Sequence, residues 1–114
     1  MALLDLHPQI EKLERDLGID EDVLARALDV NVRTVARWHG EGRIPRGETR
    51  RRFDELLELR DQLVAMFPSR EVIHEWMNSP SLYLGGFTPT DALKLGAIHR
   101  ARADLNALAA GIYL

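Results

Sequence analysis

Leu24-Ala25-Arg26-Ala27-Leu28-Asp29-Val30-Asn31-Val32-Arg33-Thr34-Val35-Ala36-Arg37-Trp38 reads as two short helices broken by a tight turn. Asp20 is suited to cap the first of them, with Glu21 and Asp22 on its positive end. Val23, Leu24, Ala27 and Leu28 recur at helical spacing and define one buried stripe. Ala25 stands where two helices must cross closely, so a methyl group suits it. Asp29 takes the corner, where a left-handed backbone is needed, and Asp accepts that conformation less readily than Gly. Asn31 can cap the next helix. In that helix Val35 and Trp38 point inward, and Arg33, Thr34, Arg37 and His39 are left outside. This is the layout of a helix-turn-helix, whose second helix can enter the DNA major groove. Arginine is the commonest reader of guanine there, and threonine can bond phosphate or touch a thymine methyl.

Charge is distributed to match. The 114-residue chain has a net charge of −3, which argues against indiscriminate nucleic-acid binding. Residues 33–52 nevertheless carry 7 Arg against 2 Glu, a net +5, between acidic segments of net −5 and −3. One positive patch on an acidic protein is the footprint of directed binding. The DNA-facing set expected from the pattern is Asn31, Arg33, Thr34, Arg37 and His39, with Arg43 and Arg46 flanking Ile44-Pro45 for phosphate contact. The run Arg50-Arg51-Arg52 is equally readable as a phosphate contact or as the solubilised start of the following helix.

Working outward, Pro8 can start a first helix, with Ile10, Leu13 and Leu17 on one side and Gly18 as its stop. Glu41 to Gly47 is a connection. A long helix is expected from about Glu48 to Phe67, with Phe53, Leu56, Leu57, Leu63, Val64 and Phe67 on its apolar face and Leu59 and Met66 off it. Pro68-Ser69 breaks the pattern and caps a short helix through Trp76 and Met77, with Trp76 read as core. Asn78 to Ser81 and Gly85-Gly86 are loops. Thr88-Pro89-Thr90-Asp91 is a start signal close to a capping box. Gly96 ends that helix, and the last helix runs from about Ile98 to Ala110, with Ile98, Ala101, Leu105 and Leu108 inward and Gly111 as the stop. No strand-like alternation or repeat occurs, so the fold class is all-α. The organisation is a helix-turn-helix region over 1–47, a connecting helix over 48–67 and a second helical module over 68–114.

Composition narrows function further. Apolar residues make up 46% of the chain, enough for a folded core. No apolar run approaches the ~20 residues of a membrane span, and no secretory signal is visible at the start. Zero cysteines fit a reducing compartment and remove disulfides, thiolate zinc sites and cysteine nucleophiles. A cytoplasmic location is expected. His7, His39, His74 and His99 are scattered, without HxxxH spacing for a metal. Glu71, His74 and Glu75 read as the solvated face of a short helix. Gly85-Gly86 lacks the remainder of a phosphate loop, and no nucleophile is paired with a base. Neither catalysis nor a cofactor nor a metal is expected.

The second module carries a family resemblance. Trp76-Met77-Asn78-Ser79-Pro80, Leu84-Gly85-Gly86, Thr88-Pro89-Thr90-Asp91-Ala92-Leu93, Gly96 and Gly111-Ile112-Tyr113-Leu114 together resemble the C-terminal domain of Xre/MbcA/ParS-type antitoxins. The helix-turn-helix ahead of it and the long connecting helix are also similar to that family, so the resemblance covers nearly the whole chain. It implies a type II antitoxin whose C-terminal module covers the active-site cleft of an NAD-consuming RES-domain toxin. It also implies repression of the shared operon through the helix-turn-helix, although Asp29 stands where such turns commonly have Gly. The toxin-facing residues it implies are Tyr83, Leu84, Phe87, Arg102, Asn106, Gly111, Ile112, Tyr113 and Leu114. Among these, Tyr113 and Leu114 are the expected anchors, an aromatic and an aliphatic group placed past the helix stop. The expected partners are that toxin, operator DNA and a second copy of the chain, within a larger toxin–antitoxin assembly. The alternative is a plain dimeric repressor whose C-terminal helices serve dimerisation or sensing.

Overall fold

The computed structural model describes residues 6–40 and 45–111, and these form seven helices with no strand. They are α1 (His7–Leu17), α2 (Glu21–Leu28), α3 (Val32–Gly40), α4 (Gly47–Met66), α5 (Arg70–Met77), α6 (Pro89–Lys94) and α7 (Ile98–Ala109).

The helix boundaries follow from local chemistry. Asp20 caps α2 by accepting the Val23 N–H at 2.9 Å, and Ser69 caps α5 by accepting from Val72 at 3.3 Å. The capping box at α6 is complete. The Thr88 hydroxyl accepts the Asp91 N–H at 2.9 Å, and the Asp91 carboxylate accepts the Thr88 N–H at 3.0 Å. That second bond, with the Thr88 hydroxyl beside it, holds the Asp91 carboxyl below its usual range. At the other end of the first helix, Gly18 adopts φ 65° and stops α1. The His74 ring of α5 packs against Gly18, so closely that a Cβ there would lie 2.8 Å from it. His74 Nε2 lies 2.9 Å from the Arg15 carbonyl and donates to it. Thus His74, expected as part of a solvated face, closes the C-terminus of α1 from another helix.

Asp29 is the corner of the helix-turn-helix, at φ 57° and ψ 48°, and its N–H donates back to Ala25 and Arg26. Among the described residues it is the one non-glycine with positive φ. Asp29→Gly is therefore expected to stabilise the fold by up to about 1 kcal/mol by removing the Cβ penalty. A urea midpoint that rises checks this; one that falls would mean the Asp29 side chain contributes more than its backbone strain costs.

One continuous core joins the two ends of the chain. α2 packs against α3 and against α6, α1 against α4 and α5, and α4 against α7. Leu24, Leu28, Leu56, Leu93, Ile98 and Leu105 share this core with Ile10 and Leu13. On α4 the buried face is turned from the expected one. Leu59 is fully buried with Phe53, Leu56 and Leu63, whereas Val64 is 47% exposed and Leu57 only half-buried. The helix lies between α1 and α7, which moves its contact surface toward Leu59, and Arg60 uses the neighbouring position for an ion pair with Asp16 of α1 at 2.9 Å. Asp16 also receives Arg70 of α5 at 3.3 Å, so one largely buried carboxylate ties three helices together. Arg52 performs a similar task elsewhere. Its guanidinium donates to the Gly96 carbonyl at 3.0 Å and reaches the Ala27 carbonyl at 3.5 Å, joining the ends of α2 and α6. Trp76 is half-buried, with its ring 6.2 Å from that of Phe67.

Candidate nucleic-acid and protein interfaces

α3 presents the arginines as the pattern requires. Val35 and Trp38 are buried against the core, and Arg33 and Arg37 stand on the exposed side with Thr34 half-exposed between them. Asn31 uses its side-chain oxygen to accept the Arg33 N–H at 2.8 Å, so its hydrogen bond is spent on the start of α3. Arg46 is exposed immediately before α4. Arg43 lies outside the described residues.

His39 departs from the expected set. Its ring turns back from the arginine face, with Nε2 3.2 Å from Glu14 Oε1 and 3.5 Å from Glu21 Oε2. The side chain is 25% exposed and stands edge-on to the His7 ring, with centroids 5.6 Å apart. The last turn of α3 lies over α1, which draws the imidazole toward those carboxylates rather than toward solvent. Burial pushes the Glu14 carboxyl up, an effect that His39 partly offsets. The Arg50-Arg51-Arg52 run meets carboxylates of its own helix. Arg50 pairs with Asp54 at 3.1 Å, Arg51 with Glu48 at 2.6 Å and Arg52 with Glu48 at 3.3 Å. These are contacts one helical turn apart along α4.

The segment between α5 and α6 is a tight loop closed on itself. The Gly86 N–H donates to the Ser81 carbonyl at 2.8 Å, and the Ser81 N–H donates to the Phe87 carbonyl at 3.0 Å. Gly85 at φ 69° and Gly86 at φ 95° supply the left-handed turn this closure needs. The Ser81 hydroxyl donates to Asp104 of α7 at 3.0 Å, anchoring the loop to the last helix. Burial pushes the Asp104 carboxyl up, and the Ser81 hydroxyl draws it partly back.

The loop holds Leu82 95% exposed, with Tyr83 and Phe87 about half exposed beside it. Sequence reasoning missed Leu82. Its signal was an apolar residue beside Tyr83 within a turn bounded by Pro80 and Gly85, with no helical stripe to claim it. Leu84 corrects the expected toxin-facing set in the other direction. At 9% exposure its side chain packs inward, between exposed Tyr83 and exposed Gly85. Arg102 pairs with Glu58 of α4 at 3.0 Å, and Asn106 accepts from Gln62 of α4 at 3.1 Å. Both tie α7 to α4 while remaining at the surface. Gly111 adopts φ 76° past the end of α7. Ile112, Tyr113 and Leu114 lie outside the described residues.

Fold and surfaces together define an all-helical protein with one shared core, in which α2 and α3 meet at a tight turn and an apolar loop stands between α5 and α6. No protein-family model matches the chain. Individual proteins do. The mycobacterial cidal antitoxin MbcA of Mycobacterium bovis and that of Mycobacterium tuberculosis are each 30% identical to it over 98 residues, covering 86% of this chain and 86% of theirs. The crystal structure of the M. tuberculosis MbcT–MbcA toxin–antitoxin complex contains a chain that superposes with a TM-score of 0.67 at 28% identity, covering 96% of this chain and 97% of that one. The chain belongs to the MbcA antitoxin family. No helix of the described residues is long and apolar enough to cross a membrane.

Proposed function

We propose that this protein neutralises an NAD-consuming toxin of the RES type by covering its active-site cleft, and that it represses its own operon through α3. Membership in the MbcA family supports a toxin partner, since the similar solved structure is a toxin–antitoxin complex, and the RES type and the covered cleft follow the resemblance of residues 76–114. The exposed Leu82, Tyr83 and Phe87 on a rigidly closed loop support it physically. A rigid apolar loop loses little conformational entropy on binding, and aromatic anchors concentrate interface energy. The contact surface we assign consists of Tyr83, Phe87, Arg102, Asn106, Gly111 and the segment 112–114, with Leu82 added and the Leu84 side chain removed.

The repressor half rests on the face formed by Arg33, Thr34 and Arg37, with Arg46 beside it. A two-fold dimer would place two such helices on half-sites about one DNA turn apart, or a multiple of it. Arg37→Ala should weaken operator binding by about 1–3 kcal/mol if the side chain reads a base. Fluorescence anisotropy on the operator fragment measures this, and unchanged affinity would remove Arg37 from the reading face. Protein and operator both belong in the cytoplasm.

Affinity capture of the chain from its own host, followed by mass spectrometry, tests the whole reading. A toxin recovered in near-equal amount supports it. DNA recovered with no stoichiometric protein partner would replace it with a plain dimeric repressor.

A further inference from the structure

Histidine spacing along the chain gives no metal-ligand pattern, but folding gathers donors that the spacing keeps apart. Glu14 of α1, Glu21 in the first turn of α2 and His39 in the last turn of α3 converge on an open cleft of about 660 Å³. One donor atom from each lies within 4.8 Å of the other two. His39 Nε2 is 3.2 Å from Glu14 Oε1 and 3.5 Å from Glu21 Oε2. A tetrahedral ion with bonds of about 2.0–2.2 Å holds its ligand atoms roughly 3.3–3.5 Å apart. The two separations measured from His39 Nε2 lie close to that spacing, and the two carboxylates are within 4.8 Å of each other.

We propose that Glu14, Glu21 and His39 form a site for one divalent transition-metal ion, with Zn²⁺ the best-fitting species, and that the ion fastens α3 to α1 and α2. The donor set selects the class. One imidazole and two carboxylates suit a borderline ion such as zinc or cobalt. Calcium requires six to eight oxygens, and the soft-metal thiolates are absent from this chain. Three protein ligands leave a further position open to water from the cleft.

The surroundings support the assignment. Asp20 and Asp22 also line the cleft, yet neither competes for the ion, since Asp20 caps α2 and Asp22 pairs with Arg26 at 3.1 Å. Their charge still attracts a cation to the mouth. The His7 ring stands at 74° to that of His39, with centroids 5.6 Å apart. An ion there would brace the last turn of the helix that carries Arg33 and Arg37, so metal occupancy would act on the DNA-facing helix rather than on the apolar loop.

A protonated His39 between two carboxylates would give similar distances with no ion, and metal uptake separates the two. The full chain, without a histidine tag and stripped with chelator, is titrated with Co²⁺ and followed by visible absorption. One equivalent should bind with the d–d bands of a low-coordinate site, and Zn²⁺ should displace it. His39→Asn and Glu21→Gln should each weaken Co²⁺ binding by more than about tenfold, and Zn²⁺ should raise the unfolding midpoint of the wild-type chain alone. Glu21, whose side chain is 43% exposed, decides the matter alone if the His39 variant does not fold. No uptake, or uptake unaffected by Glu21→Gln, overturns the proposal and leaves an ion-paired cluster.

Discussion

Deleting residues 112–114 is expected to abolish protection against the cognate toxin while leaving the helical content of the protein intact. Gly111 turns the chain out of α7 at φ 76°, with its N–H donating to the Leu108 carbonyl at 3.0 Å, so that helix is terminated before the deleted segment begins. The segment carries Tyr113 and Leu114 side by side. A tyrosine at the centre of an interface contributes about 2 kcal/mol or more, so losing it with its aliphatic neighbour weakens a complex by at least roughly thirtyfold. Growth of cells expressing toxin with the truncated or full chain measures the effect, and circular dichroism guards against simple unfolding. Full protection by the truncated chain would move the decisive contacts to Leu82, Tyr83 and Phe87.

Leu59→Ala carries the largest expected effect on stability, a loss of about 3–4 kcal/mol. Leu59 is fully buried on a helix packed against both α1 and α7, so neighbours on two sides hold the cavity open rather than collapsing into it. Such a loss is a large part of the 5–15 kcal/mol that typically separates folded from unfolded chains. Val64→Ala, on the side of α4 first assigned to the core, should cost well under 1 kcal/mol, because that side chain is 47% exposed. Paired urea titrations compare the two. Equal losses would mean that the buried face of α4 is the one the spacing alone suggests.

These residues show what the sequence made legible. The Asp20 cap, the Gly18 stop, the left-handed Asp29 corner and the Thr88–Asp91 box are written in residues one to four apart, and each forms as its local chemistry dictates. The rotation of α4 was not legible, because the helix is apolar on more than one side and tertiary partners choose among the sides. His39 turns away from the arginines because, two residues past Arg37, it sits about 200° further around α3 on the side of Val35, where Glu14 and Glu21 of other helices meet its ring. Leu84 is buried and Leu82 exposed in a loop closed by Ser81, Gly86 and Phe87, which has no period to read. Family resemblance legible in the second module is matched by the similarity to MbcA across 86% of the chain.

Neutralisation of an NAD-consuming toxin, as proposed above, is read out in the cellular NAD pool. The captured partner is expressed alone or with this chain, and NAD is assayed enzymatically in extracts at successive times. NAD should collapse with the partner alone and stay at control level when both are present. An unchanged pool with the partner alone, or equal depletion with and without this chain, would contradict it.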